Sequence, residues 1–372
     1  MTENSHDPRV LFVAFSARNA VAQTLDELFG ALSRRLDCSM MVPTNYTGNI
    51  AERNLFRVPC GMSKIGGMVA SVNPVTHWKV VATVLRAKPD VIHVFAGEGY
   101  LWAVSLAASA RMLGIPIVVT LHDPDPHPGN VFERLNSVVR RPVLARTRTI
   151  HLFSSRHLER AQELAPRAQC MVIAHGSLAG QFLRHRASGV PREKLVLFFG
   201  RIQQYKGIDV LLRAMTGLPA TIRLAIAGPG TLEDEAQRMV LALGGRVELH
   251  NKYLDDGEVA ALMQRACVVA LPYTHVTQSS VPAIAAAFGC RLVSSALGNF
   301  VEEVPQLGGS IVPPGDPDAL AAALAKALAG PPMTPINSPT FDDLSASFVQ
   351  LYRASMRQTP LLNRPAEQRP SQ

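Results

Sequence analysis

Cysteine is scarce in this 372-residue chain, and what there is stands apart: Cys38, Cys60, Cys170, Cys267 and Cys290 are odd in number and form no Cys-x-x-Cys pair. That argues against a disulfide framework or a zinc site and for free thiols in a reducing cytoplasm. Long apolar runs are missing too. No window approaches the roughly 18 uninterrupted apolar residues of a membrane span, and the polar stretch Met1 to Arg9 lacks the apolar run of a signal peptide. No nucleic-acid-binding motif occurs, and no aromatic and basic residues alternate along a strand pair, so nucleic acid is not an expected partner.

Acidic residues are short in one half only. Residues 1–186 hold 21 Lys and Arg against 13 Asp and Glu, whereas residues 187–372 hold 16 of each. The whole net charge of +8 therefore belongs to the first half. A one-sided basic domain suits an anionic partner, although solvated Arg-rich faces are a common alternative origin. With 47% apolar residues, the chain has enough material for two cores.

Strand and helix signals alternate through the first half. Val10–Phe15, Val91–Phe95, Ile115–Leu121 and Met171–Ala174 read as strands. Leu25, Leu28, Phe29, Leu32 and Leu36 recur at helical spacing, and 101–113 is an Ala-rich helix. The alternation restarts at 195–199 and yields strands at 222–227, 247–249, 268–271, 292–295 and 310–312, with helices between them. Asp316-Pro317 opens a last helix in this series, as an N-cap followed by proline. This pattern predicts an α/β fold of two doubly wound Rossmann-like domains with mostly parallel sheets, holding a ligand in the cleft between them. The expected division is a domain over 1–186, a linker at 187–191 within a second domain over 187–335, a C-terminal helix within 336–357, and a disordered tail over 358–372.

The sharpest motif is Phe199-Gly200-Arg201 followed by Lys206-Gly207, where a strand ends and a helix begins. The planar fork of Arg, the point charge of Lys and free helix N–H groups together suit a diphosphate. Gly228-Pro229-Gly230 follows the next strand and permits close backbone approach. The loop from His250 to Asp256, with Tyr253 and Leu254, follows another strand end and offers backbone groups to a base edge. Thr277-Gln278-Ser279-Ser280 precedes a helix, again a place for an anion.

In this order on successive strand ends, residues 194–330 resemble the nucleotide-binding half of GT-B glycosyltransferases, especially family 4. Arg201 and Lys206 resemble that family's diphosphate-binding pair. Gly228 sits in the resembling glycine turn, and Gly298-Asn299-Phe300-Val301-Glu302 resembles a further conserved segment. The first half is similar through Pro89-Asp90-Val91-Ile92-His93, Thr120-Leu121-His122-Asp123 and His175-Gly176. The resemblance implies that His122 lies near the transferred sugar and that the last helix crosses back onto the first domain. Asp123 or Asp125 would serve as the base of an inverting transfer, with Glu98 as a rival. Turn formation or N-capping explains the same His and Asp residues equally simply.

Two departures stand out. Where family 4 carries paired glutamates, Val276 and Ile284 align. The usual Gly-Gly after the first strand is replaced by Ser16-Ala17-Arg18-Asn19, of which Arg18 and Asn19 are the candidate contacts. The chain looks more like a branch similar to bacterial exopolysaccharide mannosyltransferases, in which Gln278, Ser279 and Ser280 would hold phosphate or sugar. The resemblance implies a hexosyltransferase that uses a nucleoside-diphosphate sugar as donor substrate, with no cofactor and no metal. Its acceptor would be a lipid-linked or other membrane saccharide in polysaccharide or glycolipid synthesis, reached from the cytoplasm at the inner face of the membrane. The basic first domain would meet the anionic membrane surface through Val131–Arg148, a segment broken by Pro142, or around Trp78 and Lys79. The missing glutamates leave open a catalytically weak or inactive GT-B binding subunit.

Overall fold

A computed structural model describes residues 7–16, 20–48, 50–60, 64–96, 98–122, 124, 131–276 and 279–357, without the side chains of residues 20, 64, 65, 68 and 131–137. The proposed tail over 358–372 lies outside these residues. The chain forms two compact units, one running to Gly176 and rejoined from Phe341 onward, the other spanning Ser177–Thr340.

The first unit contains β1 (Val10–Ala14), α1 (Ala20–Ser33), β2 (Cys38–Pro43), β3 (Leu55–Val58), α2 (Lys64–Ser71), α3 (Pro74–Ala87) and β4 (Val91–Ala96). It continues through α4 (Leu101–Met112), β5 (Ile117–Thr120), α5 (Val131–Leu144), β6 (Thr149–Leu152), α6 (Leu158–Leu164) and β7 (Gln169–Val172). Its parallel sheet runs β3-β2-β1-β4-β5-β6-β7. The second unit holds α7 (Ala179–Leu183), β8 (Glu193–Phe199), α8 (Ile208–Thr216), β9 (Arg223–Ala227), α9 (Asp234–Leu243), β10 (Val247–His250) and α10 (Asp256–Arg265). It ends with β11 (Ala266–Leu271), α11 (Val281–Ala287), β12 (Arg291–Ser295), α12 (Phe300–Gln306), β13 (Ser310–Val312) and α13 (Pro317–Ala329). Here the parallel order is β10-β9-β8-β11-β12-β13. Both sheets reverse direction beside their first strand, at β1/β4 and at β8/β11. In open α/β sheets that crevice is where ligands bind. No helix among the described residues is long and apolar enough to cross a membrane.

The chain passes between units at Gly176, ahead of the expected linker. The reason lies in α7, which packs on α10 and α11. Ala187 is pinned beyond it: its N–H donates to Gln264 Oε1 at 2.9 Å, and Gln264 Nε2 donates back to its carbonyl at 2.6 Å. Segment 187–191 thus starts inside the second unit.

The last helix, α14 (Phe341–Arg357), belongs to the first unit and packs on α1. Gly176 makes room for it, since a Cβ there would collide with the Phe341 ring. A buried chain of hydrogen bonds then ties α14 across three strands. Tyr352 Oη lies 2.8 Å from His93 Nδ1, and His93 Nε2 lies 2.7 Å from Thr120 Oγ1. Thr120 Oγ1 is 2.9 Å from His151 Nδ1, and His151 Nε2 is 3.1 Å from the Ile173 carbonyl. That carbonyl can only accept, so every proton in the chain is assigned. His151 donates from Nε2, Thr120 donates to His151, His93 donates from Nε2 to Thr120, and Tyr352 donates to His93. Each polar side chain of the chain is thereby satisfied inside the core, as burial requires.

Both histidines are held neutral by burial, His93 well below its ordinary value and His151 down to about 3. The two tryptophans, Trp78 and Trp102, both belong to this unit, so their fluorescence reports its unfolding. Tyr352→Phe leaves the His93 Nδ1 acceptor buried without a donor. It should cost about 1–3 kcal/mol, read as a lower urea midpoint. Acid should act similarly. Below pH 6.5 the unfolded chain protonates His151 while the folded unit does not until about pH 3. Stability of the first unit should therefore fall as pH drops through that window and be free of this loss above it. Urea titrations followed by tryptophan emission at a series of pH values check the sign.

Candidate functional site

At the carboxyl ends of β8, β9 and β10 the backbone continues the sheet into loops. Gly200 N–H donates to the Ala227 carbonyl at 2.9 Å, Ile202 N–H to Pro229 at 2.8 Å, and Gly228 N–H to His250 at 3.0 Å. Gly230 N–H closes the set on Asn251 Oδ1 at 3.1 Å. These loops lie so close that side chains are excluded. A Cβ on Gly228, at φ 143°, would strike the Gly200 carbonyl, and one on Gly207, at φ 66°, would strike the Pro272 carbonyl. Only glycine tolerates both the conformation and the approach.

This packing sets Arg201 and Lys206 at the β8/β11 reversal. Arg201 is exposed. Lys206 is half-buried, with Nζ 3.8 Å from the centre of the Tyr273 ring and 5.3 Å from that of Tyr205. Tyr205 is fastened to the β11 loop through its carbonyl, which accepts the Thr274 N–H at 2.8 Å. Desolvation and then the neighbouring Arg201 charge lower the Lys206 ammonium to about 8. Neither cation has a carboxylate partner among the described residues. The opposite end of the sheet differs. There Arg265 donates to Glu193 at 2.5 Å and to Glu248 at 2.9 Å, and Arg223 bonds both carboxylates. Two adjacent cations without carboxylates, one of them set on aromatic rings, make a candidate anion site, because a diphosphate would supply the missing counter-charge.

The remaining expected residues divide. Gly228 is buried in the glycine turn, and Ser279 accepts the Val281 N–H through Oγ at 3.4 Å. Ser280 is the N-cap residue of α11 but makes no side-chain cap bond. Tyr253 is exposed, whereas Leu254 packs on the core. At the start of the His250 to Asp256 loop, the His250 carbonyl accepts from the Gly228 and Lys252 N–H groups. Val276 and Ile284 pack against the apolar core and offer no polar group. Gln278 and Thr277 lie outside the described residues.

Sequence reasoning overlooked Tyr205 and Tyr273, the rings under Lys206. It also overlooked Glu303, one position beyond the Glu302 of the resembling segment. Burial raises the Glu303 carboxyl to about 7, and Asn299 Nδ2 donates to it at 2.7 Å. Two adjacent glutamates at a helix start offered a signal, but only packing selects the buried one.

In the first unit His122 follows β5. Its Nε2–H donates to the Phe95 carbonyl at 2.9 Å, leaving Nδ1 as an acceptor. Burial lowers it to about 4, so the imidazole is neutral near pH 7. Phe153 stands amid His122, His151 and His175, at ring distances of 5.3, 4.7 and 4.9 Å. Asp123, Asp125, Arg18 and Asn19 lie outside the described residues. The α5 segment differs from a uniform lipid-facing stripe. Arg140 is buried and donates to the Pro124 carbonyl, Val143 and Leu144 are buried, and Pro142 sits inside the last turn without ending the helix.

Comparison with known proteins matches residues 19–176 to the glycosyl transferase 4-like domain and residues 193–330 to glycosyl transferases group 1. The chain is 31% identical over 262 residues to the glycogen synthase of Mycobacterium tuberculosis, covering 66% of this chain and 61% of that one. It is 33% identical over 154 residues to the D-inositol 3-phosphate glycosyltransferase of Xylanimonas cellulosilytica, covering 40% and 37%. Against the D-rhamnosyltransferase WbpZ of Pseudomonas aeruginosa it is 30% identical over 142 residues, 36% of each. These matches span between 36% and 61% of the relatives' lengths. In fold it is similar to sucrose-phosphate synthase from Thermosynechococcus elongatus, with a TM-score of 0.67 at 18% identity, covering 94% and 96% of the chains. It is likewise similar to HepE of Anabaena in complex with UDP, with a TM-score of 0.66 at 18% identity, covering 94% and 97%. The chain belongs to the family 4-like GT-B glycosyltransferases.

The Lys206 geometry predicts how anion binding responds to pH. Above about 8 the free site loses its ammonium. Affinity for a nucleoside diphosphate should therefore weaken as pH rises through 8, and Lys206→Arg should flatten the profile. Calorimetric titration with UDP and GDP across that range measures it.

Proposed function

We propose that this protein transfers a hexose from a nucleoside-diphosphate sugar to a lipid-linked or other membrane saccharide acceptor, without a metal ion. The observation that carries the reading is the Arg201 and Lys206 pair, uncompensated by carboxylate and placed by glycine-locked loops at the β8/β11 reversal. As the bond from the anomeric carbon to the diphosphate oxygen breaks, negative charge grows on the leaving phosphate. Arg201 meets it with a planar fork and Lys206 with a point charge, the role a metal plays elsewhere. Ser279, Ser280 and Gln278 bind the donor's phosphate or sugar, and Tyr253 and Leu254 line the base end. The likeness to HepE, solved in complex with UDP and with UDP-glucose, supports a nucleotide-sugar donor.

The acceptor hydroxyl attacks the anomeric carbon and gives its proton to a base, for which Asp123 is the candidate. A neutral His122, with Nδ1 open as an acceptor, binds a sugar hydroxyl rather than taking its proton, because a group of pKa about 4 is a poor base near neutrality. The mannose- or glucose-type donor and a place in polysaccharide or glycolipid assembly follow from the family branch the sequence resembles.

A second reading is a binding subunit with little or no activity, favoured by the apolar Val276 and Ile284 where glutamates would face sugar and ribose. Arg201→Ala should lower turnover by on the order of 10²-fold or more, measured as sugar transfer to a lipid-linked acceptor. Full activity in both Arg201→Ala and Lys206→Ala would place the donor site elsewhere. Calorimetric binding of a nucleotide sugar with no transfer to any acceptor would favour the binding subunit.

A further inference from the structure

The α2–α3 hairpin has two apolar sides. On α3, Thr76, Val80, Thr83 and Val84 are buried. The opposite side carries Val75, Trp78 and Leu85, and Val69 and Val72 extend it through α2 and the turn. These five side chains are between 53% and 69% exposed. The exposure does not come from a loosely held element. His77 Nε2 donates to the Ser71 carbonyl at 2.7 Å and its Nδ1 accepts from Ser105 of α4 at 2.6 Å. Asn73 caps α3 through the Val75 N–H at 2.9 Å, and Leu101 N–H at the start of α4 donates to Ser71 Oγ at 3.0 Å. A fixed hairpin therefore presents contiguous apolar side chains, including the one exposed tryptophan, to solvent. Such patches mark contact surfaces.

Charge identifies the occupant. Between Glu52 and Asp90 the sequence contains no acidic residue, while it holds Arg53, Arg57, Lys64, Lys79, Arg86 and Lys88. Lys79, Arg86 and Lys88 are exposed on α3 and its C-cap, interleaved with the apolar stripe. Apolar side chains flanked by cations, with no carboxylate within the hairpin itself, complement an anionic lipid interface.

We propose that the α2–α3 hairpin is a docking surface for an anionic lipid bilayer, with Trp78 at its centre. This deepens the reading of a membrane-borne acceptor and rests on it; of the two contacts the sequence offered, it favours the one around Trp78 and Lys79 over α5. The indole and valines enter the boundary between headgroups and acyl chains, and Lys79, Arg86 and Lys88 pair with lipid phosphates.

Full-length protein should co-sediment with vesicles of equal parts phosphatidylglycerol and phosphatidylcholine, and far less with phosphatidylcholine alone. Trp102 is 1% exposed and Trp78 69%, so iodide quenching of the free protein reports Trp78. Anionic vesicles should shield it. Trp78→Ser with Val75→Ser should weaken binding by about tenfold or more, as expected for removing an inserted aromatic. Lys79→Glu with Lys88→Glu should do so without touching the apolar side chains. Unchanged binding in both variants would overturn the proposal, as would equal binding to neutral vesicles. Shielding of Trp78 on raising protein concentration without lipid would overturn it in favour of a second copy of the chain. Transfer to a soluble acceptor fragment is measured in parallel. Its loss in wild-type protein would count against the transferase reading, whereas lost vesicle binding with transfer retained in wild type would count against this surface alone.

Discussion

The second unit depends on how closely three loop backbones approach one another beyond the strand ends. The Gly200 carbonyl occupies the space a Cβ on Gly228 would need, and the Pro272 carbonyl does the same at Gly207. Those approaches let the hydrogen-bond ladder run on past Phe199 and Ala227, so that Arg201 leaves the sheet from a rigid base. They also draw the β8 and β11 loops together, which brings Tyr205 and Tyr273 under Lys206. A cation fixed on aromatic rings loses hydration it would keep on a mobile loop, and its lowered pKa is the consequence. Glycine at these positions thus sets the electrostatics of the site as much as its shape.

The two ends of that sheet treat charge differently. At the amino ends of the strands, Arg223 and Arg265 face Glu193 and Glu248, and each charge is met by its opposite. The same fold could have placed a glutamate beside Lys206. Leaving Arg201 and Lys206 mutually repulsive costs stability, a cost that a bound anion would offset. Charge compensation at one end and its lack at the other distinguish the two ends of the sheet.

Legibility in the sequence followed locality. All six strands of the second unit stand out because each is a short apolar run bounded by glycine, proline or a charged turn. In the first unit β2, β3 and β6 were not apparent. Cys38–Pro43 and Leu55–Val58 are short runs without alternation, and Thr149–Leu152 mixes two apolar residues with Thr149 and His151, both fully buried. Polar residues in a core strand read as surface until their partners are known, and the partners of His151 are Thr120 and Ile173. Arg201 and Lys206 were legible because one strand–turn–helix carries both. Tyr273 was not, since it reaches Lys206 from another strand.

The two units also treat charge in opposite ways. The first buries histidines as neutral acceptors and donors, each oriented by a partner whose role is fixed, from Tyr352 on α14 to the carbonyl after β7. Protonating either His93 or His151 would turn its hydroxyl partner from donor to acceptor and leave that hydroxyl's proton without an acceptor in the core, so the network favours the uncharged state. His122 is neutral for the same physical reason, and its Phe95 bond fixes which nitrogen remains an acceptor. The second unit instead holds a half-buried cation without its counter-ion. Each treatment is confined to its own unit: uncharged donors and acceptors in the first, an uncompensated cation in the second. That division of labour follows from desolvation acting on lysine in one unit and on imidazole in the other, and it is set before any ligand is present.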